Sequence, residues 1–237
     1  MSENIKRPSL FLFFIEGYRM VWELVSSIRF RSEYVPPRTG DGHAVLVIPG
    51  LFGVDMIMLP MRNFLARLGY TPYKWELGVN TAAPEDLDTL TEKVEVLYEK
   101  HQEKISIIGW SLGGIYAREL AKRKPHMVRQ VITAGAPFRG IKNPNNIAWA
   151  LKLLKGEIED FWDKALIDSL PGLTPVLTTS IYSKTDGTVR WQDCMSESED
   201  ALHRNEEAVS SHLGMPHNSS VLEIIAERLP DKIGAKV

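Results

Sequence analysis

Residues 109–113 read Gly-Trp-Ser-Leu-Gly, and Gly114 follows. This G-x-S-x-G spacing stands between an apolar run, Ile105 to Gly109, and a helical pattern with Leu112, Ile115, Tyr116 and Leu120 on one stripe. A serine at so sharp a strand-to-helix turn needs neighbours two residues before and after it without side chains, because the two backbones would otherwise collide. The same turn aims the unpaired N–H groups of a helix N-terminus at the serine oxygen, which suits a developing oxyanion. Ser111 is the candidate nucleophile.

A serine hydroxyl attacks a carbonyl only when a base removes its proton, and the base is usually a histidine oriented by a carboxylate. Around G-x-S-x-G the chain order is serine, acid, histidine. Downstream, Asp186 lies in the turn Thr185-Asp186-Gly187, directly after the strand-like run Val176 to Tyr182. Loops at the carboxyl ends of strands are where open α/β sheets hold their sites. Asp160, Asp163, Asp168 and Asp193 are weaker candidates, the first three because they fall on or near an amphipathic helix. Of the six histidines, only His203, His212 and His217 follow Asp186. His212 is the expected base, in a loop after a short strand-like stretch (Ala208 to Ser210) and before the final helix, and His217 is its rival. His203 reads as solvated in a charged run. His43 and His126 read as surface positions, and His101 as a helix-end residue.

The oxyanion formed by attack on a carbonyl needs two backbone donors. One is expected from Leu112, the residue after the nucleophile, and the other from the loop after an early strand. Val47 to Gly53 supplies such a loop, which assigns the second donor to the N–H of Leu51, with Phe52 as the alternative.

These residues require a scaffold. Ala44 to Ile48, Ile105 to Gly109, Val128 to Gly135 and Val176 to Tyr182 are near-continuous apolar runs, the pattern of strands buried on both faces of a parallel sheet. Tyr70 to Trp75 is a weaker strand. Helical stripes lie between them: Met58, Met61, Phe64, Leu65 and Leu68, then Leu87, Leu90, Val94 and Leu97. A last helix is expected from Ser220, with Glu223 in capping-box spacing. The alternation predicts an α/β fold with a mostly parallel central sheet flanked by helices. Residues 138–175 interrupt it with two helical patterns, Ile147 to Lys155 and Ile158 to Leu170. They read equally as a cap-like insertion and as another core layer.

The chain has 237 residues, and its composition suits one globular domain over 1–237. Net charge is -2, so nothing points to a nucleic-acid partner. The single cysteine, Cys194, can form neither an intramolecular disulfide nor a thiolate zinc site, and a cytoplasmic location is expected. Ser9 to Ile15 follows Lys6 and Arg7 like the start of a leader. The apolar run is too short to span a bilayer and ends at Glu16 without a cleavage pattern. Residues 9–29 therefore read as a retained helix within an N-terminal extension (1–40), with Tyr18, Val21, Trp22, Val25 and Ile28 at helical spacing. It is either packed on the domain or in peripheral contact with a membrane or the substrate entrance.

Taken together, VLVIPGLFG, IIGWSLGGIYARELA, VITAGAPF, IYSKTDGTV and the Ser-His-Leu-Gly segment before the closing helix resemble the α/β-hydrolase superfamily over roughly residues 43–230. The likeness is to its small bacterial lipase, esterase and lipid-deacylase-like members. The resemblance implies the α/β-hydrolase fold, a serine hydrolase acting on carboxylic esters, a small-molecule acyl substrate and no cofactor. Some lipases carry structural calcium, but no carboxylate cluster here argues for a metal. Many lipases have His-Gly where this chain has Pro49-Gly50, which preserves the backbone donor and weakens any transfer of substrate. An acyltransferase or thioesterase would use the same residues. A non-catalytic lipid- or partner-binding protein is the remaining class.

Overall fold

The computed structural model describes residues 6–146, 156 and 162–230. At its centre is a six-stranded sheet in which every neighbouring pair is parallel. The strands are β1 (Ala44–Ile48), β2 (Thr71–Tyr73), β3 (Ile105–Trp110), β4 (Val128–Ala134), β5 (Leu177–Tyr182) and β6 (His203–Glu207), in the order β2-β1-β3-β4-β5-β6. The helices are α1 (Leu10–Phe14), α2 (Glu16–Glu33), α3 (Leu59–Arg67), α4 (Asp86–His101), α5 (Leu112–Arg123), α6 (Lys164–Ser169) and α7 (Ser219–Arg228).

Strand periodicity divides the core into two layers. Leu46, Ile48, Ile105 and Ile107 face α4 and α5, whereas Val45, Val47, Ile108 and Trp110 face α3 and α7. The apolar stripe of α4 (Leu87, Leu90, Val94, Leu97) is buried as its spacing predicts. Helix α5 is buried on all sides from Leu112 to Ala121, so it is the innermost helix rather than a half-exposed one. The chain leaves β1 for β2 on one side and returns to β3 on the other. This reversal makes the carboxyl ends of β1 and β3 the switch point of the sheet, the place where such sheets bind ligands. The loop with Leu51 follows β1, and Ser111 follows β3.

Several elements differ from expectation. The edge strand is His203–Glu207, not the stretch from Ala208 to Ser210. Its His-Arg-Asn-Glu-Glu sequence has no apolar alternation, as befits an edge that must not recruit another strand. Helix α7 is capped by Asn218, whose side chain accepts from the N–H groups of Ser220 and Val221, rather than by a box starting at Ser220. The N-terminal helix breaks at Ile15 into α1 and α2. His203 is buried between Asp200 and Thr174 rather than solvated. The expected helix from Ile147 to Lys155 lies outside the described residues. Of the second pattern, α6 begins only after Asp163, which caps it through Leu166 N–H. Trp162, Ile167 and Leu170 pack into the α5 side of the core, and the Trp162 indole N–H donates to Ala82 O at 3.2 Å.

The largest departure is the orientation of α2. Its apolar stripe points to solvent: Tyr18 is 75% exposed and Trp22 66%. Its polar face is turned inward, with Glu16 only 2% exposed. At its C-terminal end Phe30 stacks on Phe64 of α3 and Tyr34 packs against the same ring at a tilt, which anchors the helix.

Candidate active site

Ser111 is the N-cap of α5, with φ 54° and ψ -122°, a backbone conformation that non-glycine residues avoid and that costs about 1–3 kcal/mol. The glycines make this turn possible. A Cβ on Gly109 would overlap the carbonyl of Gly113, and one on Gly113 would overlap the carbonyls of Ile48 and Pro49. The turn is pinned by Ser111 N–H donating to Ala134 O at 2.8 Å and Gly114 N–H donating to Ser111 O at 2.9 Å. Ser111 itself is left partly exposed.

His212 lies with Nε2 3.0 Å from Ser111 Oγ and Nδ1 2.6 Å from Asp186 Oδ2. A carboxylate can only accept, so Nδ1 carries the proton and the Nε2 lone pair faces the serine hydroxyl. The other oxygen of Asp186 accepts from the N–H groups of Thr188 (2.7 Å) and Val189 (2.9 Å), which fixes the carboxylate in its turn. Burial alone would lower the His212 pKa. The charge and hydrogen bond of Asp186 and the charge of Glu16 outweigh it and raise the group above its ordinary value. The three residues named from their types and order thus stand within hydrogen-bond distance of one another. The rival, His217, is buried elsewhere and donates through Nε2 to Met20 O at 3.1 Å.

The N–H of Leu112 occupies the first position of α5, where a helix offers it no internal acceptor. The loop after β1 lies against the nucleophile: a Cβ on Gly50 would come within 2.9 Å of Ser111 Cβ. In that loop the N–H of Phe52 is taken by Asn80 O at 2.7 Å, which removes Phe52 as a donor to the crevice and leaves Leu51. Asn80 also donates to Pro49 O through its side chain at 2.8 Å, so it fixes the loop from both ends.

Sequence reasoning did not find the residues that hold the site loops in place. Glu16 Oε1 accepts from Gly187 N–H at 2.8 Å, beside Asp186, and Oε2 accepts from Leu213 N–H at 3.0 Å, beside His212. Glu23 accepts from Ser211 N–H and Oγ. Arg19 donates to Thr185 O and Oγ1. The indole of Trp110 donates to His212 O at 2.9 Å. Asn80 and Trp110 carried no signal beyond proximity to the motifs. The three α2 residues lay on one face of the wheel, opposite an apolar stripe that ordinarily turns inward.

A second Asp-His-Ser arrangement occurs at the amino end of β3. His43 bonds Ser106 Oγ through Nε2 at 2.7 Å and Asp41 through Nδ1, with Arg129 alongside. His43 is therefore buried, contrary to its reading as a surface residue. Ser106 lies within β3 with no exposed surface, so no substrate carbonyl can reach it. What separates the two serines is the turn.

The model of the PGAP1-like alpha/beta domain matches residues 85–221, more than half of the chain, and takes in Ser111, Asp186 and His212. The chain belongs to that family. Serine hydrolase BPHL from Mus musculus is 28% identical to this PGAP1-like chain over 110 residues, and the Homo sapiens protein 29%. Those matches cover 42% of this chain and 38% of each relative, well under half the relatives' length. Among solved structures, Aspergillus fumigatus lipase B superposes with a TM-score of 0.64 at 15% identity, covering 86% of this chain and 57% of that one. Bacillus licheniformis lipase BlEst2 in its mature form gives 0.59 at 13%, covering 81% and 94%. The Pyrococcus furiosus esterase PF2001 gives 0.60 at 14%, covering 81% and 82%. These likenesses show the fold, the helix-flanked parallel sheet of α/β-hydrolase lipases and esterases, and together with the PGAP1-like family match they place the chain in the α/β-hydrolase superfamily.

Proposed function

We propose that this protein is a serine hydrolase of carboxylic esters acting through Ser111, His212 and Asp186. The observation that carries the reading is the hydrogen-bond chain from Asp186 through His212 to a serine held at a strained strand-to-helix turn. In the reaction, Ser111 Oγ attacks the ester carbonyl carbon while His212 Nε2 takes its proton. The N–H groups of Leu51 and Leu112 hold the resulting oxyanion, and losing one such donor typically costs about 2.7–4 kcal/mol of transition-state stabilisation. The tetrahedral intermediate collapses, the carbon–alkoxide bond breaks and His212 gives its proton to the departing alcohol. Water, deprotonated by His212, then attacks the acyl-enzyme. The carboxylic acid leaves and Ser111 regains its proton. Asp186 stays ionised throughout and stabilises the imidazolium.

An apolar acyl group fits the surroundings. Phe52, Met56 and Ile57, in the loop after β1, all leave apolar surface exposed. Of the apolar residues in the 138–175 insertion, Trp149, Leu153 and Phe161 lie outside the described residues, and Trp162 is core. The lipases and esterases among the structural neighbours support the ester class. A series of p-nitrophenyl esters of increasing chain length tests the proposal: turnover should be present, should depend on Ser111 and should favour acyl chains longer than acetyl. Wild-type protein inert toward the whole series would remove the ester assignment.

A further inference from the structure

Asn80 has no exposed surface, and each of its polar groups is bonded. Its backbone N–H donates to Gly53 O at 2.9 Å, and its backbone oxygen accepts from Phe52 N–H at 2.7 Å. Its side-chain NH2 donates to Pro49 O at 2.8 Å, and Oδ1 accepts from Ala82 N–H at 3.1 Å. An N–H only donates and a carbonyl only accepts, so these partners fix which way the amide faces.

The bonds from Asn80 to the loop after β1 fall on both sides of one peptide. Pro49 O belongs to the Pro49–Gly50 peptide, and Phe52 N–H to the Leu51–Phe52 peptide. The peptide between them, Gly50–Leu51, carries the N–H proposed as an oxyanion donor. Its carbonyl is taken within the loop by Gly53 N–H at 2.8 Å. A trans peptide is planar with C=O and N–H on opposite edges, so this bond turns the Leu51 N–H away from Gly53. That N–H has no acceptor among the described residues. The turn from Gly50 to Gly53 is strained. Phe52 stands at its third position with φ 59°, a conformation that favours glycine and that bulky residues rarely adopt. Such strain persists only where the surroundings over-determine it, and Asn80 provides that restraint. Pro49 O also lies against the first turn of α5, where a Cβ on Gly113 would come within 2.6 Å of it.

We infer that Asn80 is the positioning residue of the oxyanion hole. It holds the Gly50–Leu51 peptide so that the Leu51 N–H meets the carbonyl oxygen of an ester as that oxygen becomes an oxyanion. This role rests on the proposed esterase chemistry at Ser111. Asn80 bonds none of Ser111, His212 and Asp186, so it acts on the donor alone. A donor aimed in advance at developing charge stabilises the transition state more than the bound ester, so loosening it lowers kcat rather than raising KM.

The test compares a p-nitrophenyl ester with its thiono analogue, in which sulfur replaces the carbonyl oxygen. Sulfur is the weaker acceptor, so the thiono ester draws less on the donors of the oxyanion hole. In Asn80→Ala, kcat for the oxygen ester should fall roughly 10- to 100-fold, with KM within about twofold of the wild type. The thiono ester should slow much less, so the ratio of the two rates contracts. The acid midpoint of the pH–rate profile, set by His212, should stay where it is. Should Asn80→Ala fold poorly, Asn80→Ser should give the same contraction. Its hydroxyl can still accept from Ala82 N–H but ends one atom short of Pro49 O. Asn80 loses this role if a folded variant keeps the wild-type kcat, if both esters slow by the same factor, if the midpoint moves, or if neither variant folds. A wild type inert toward both esters would instead remove the esterase reading, and this role with it.

Discussion

Glu16 accepts a hydrogen bond from the backbone N–H of Leu213 at 3.0 Å, so the first residue of α2 holds the loop that presents His212. Its other oxygen holds Gly187, beside Asp186. One buried carboxylate therefore sets the spacing between the loops of the candidate base and acid, from a helix that precedes the sheet.

Glu16→Gln tests this positioning role. Glutamine has one acceptor oxygen, so its NH2 group must oppose one of the two N–H donors. Hydrogen bonds to a charged group are worth about 1.5–3 kcal/mol each. The variant should lose that much stability, and kcat should fall roughly 10- to 100-fold if the loss is expressed in the transition state. Loss of the negative charge should also move the acid limb of the pH–rate profile down, because Glu16 helps to raise the His212 pKa. A lower Tm with an unmoved limb would reduce Glu16 to a structural residue.

The pH profile has a defined sign. His212 acts as a base only when neutral, and its pKa is raised from 6.5. Esterase activity should therefore be lost on acidification with a midpoint above 6.5, visible in kcat/KM against pH. Asp186→Asn removes the largest contributions that raise the pKa. Its midpoint should drop below the wild-type value, while the rate at the plateau falls on the order of 10⁴-fold because the tautomer is no longer held.

Ser111 is held at positive φ, so its backbone stores strain that glycine would relieve. Ser111→Gly should be more stable than Ser111→Ala by about 1–2 kcal/mol in urea denaturation, with both variants inactive. Equal stabilities would mean that the turn carries no strain.

Much of this was legible in the sequence, for physical reasons that differ by residue. Gly109 and Gly113 mark the turn at Ser111 because no other residue fits there. Asp186 and His212 could be placed because chain order and strand ends constrain where an acid and a base can stand. Leu51 was named with Phe52 as its alternative, and only the tertiary hydrogen bond from Phe52 to Asn80 separates them. Periodicity showed that Glu16, Arg19 and Glu23 share a face of α2, but it carries no information on which face turns inward. The usual preference for burying the apolar stripe points the wrong way here. His43 and His203 looked solvated beside charged neighbours, yet Asp41 and Asp200 are the partners that let each ring be buried. The strand at His203–Glu207 was invisible because an edge strand needs no apolar alternation.

The most direct measurement of the central claim is intact-mass analysis after treatment with a fluorophosphonate, followed by peptide mapping. The account predicts one adduct per chain, on the peptide that contains Ser111, and none in a folded Ser111→Ala variant. An unmodified wild type, or an adduct that persists in Ser111→Ala, would contradict it.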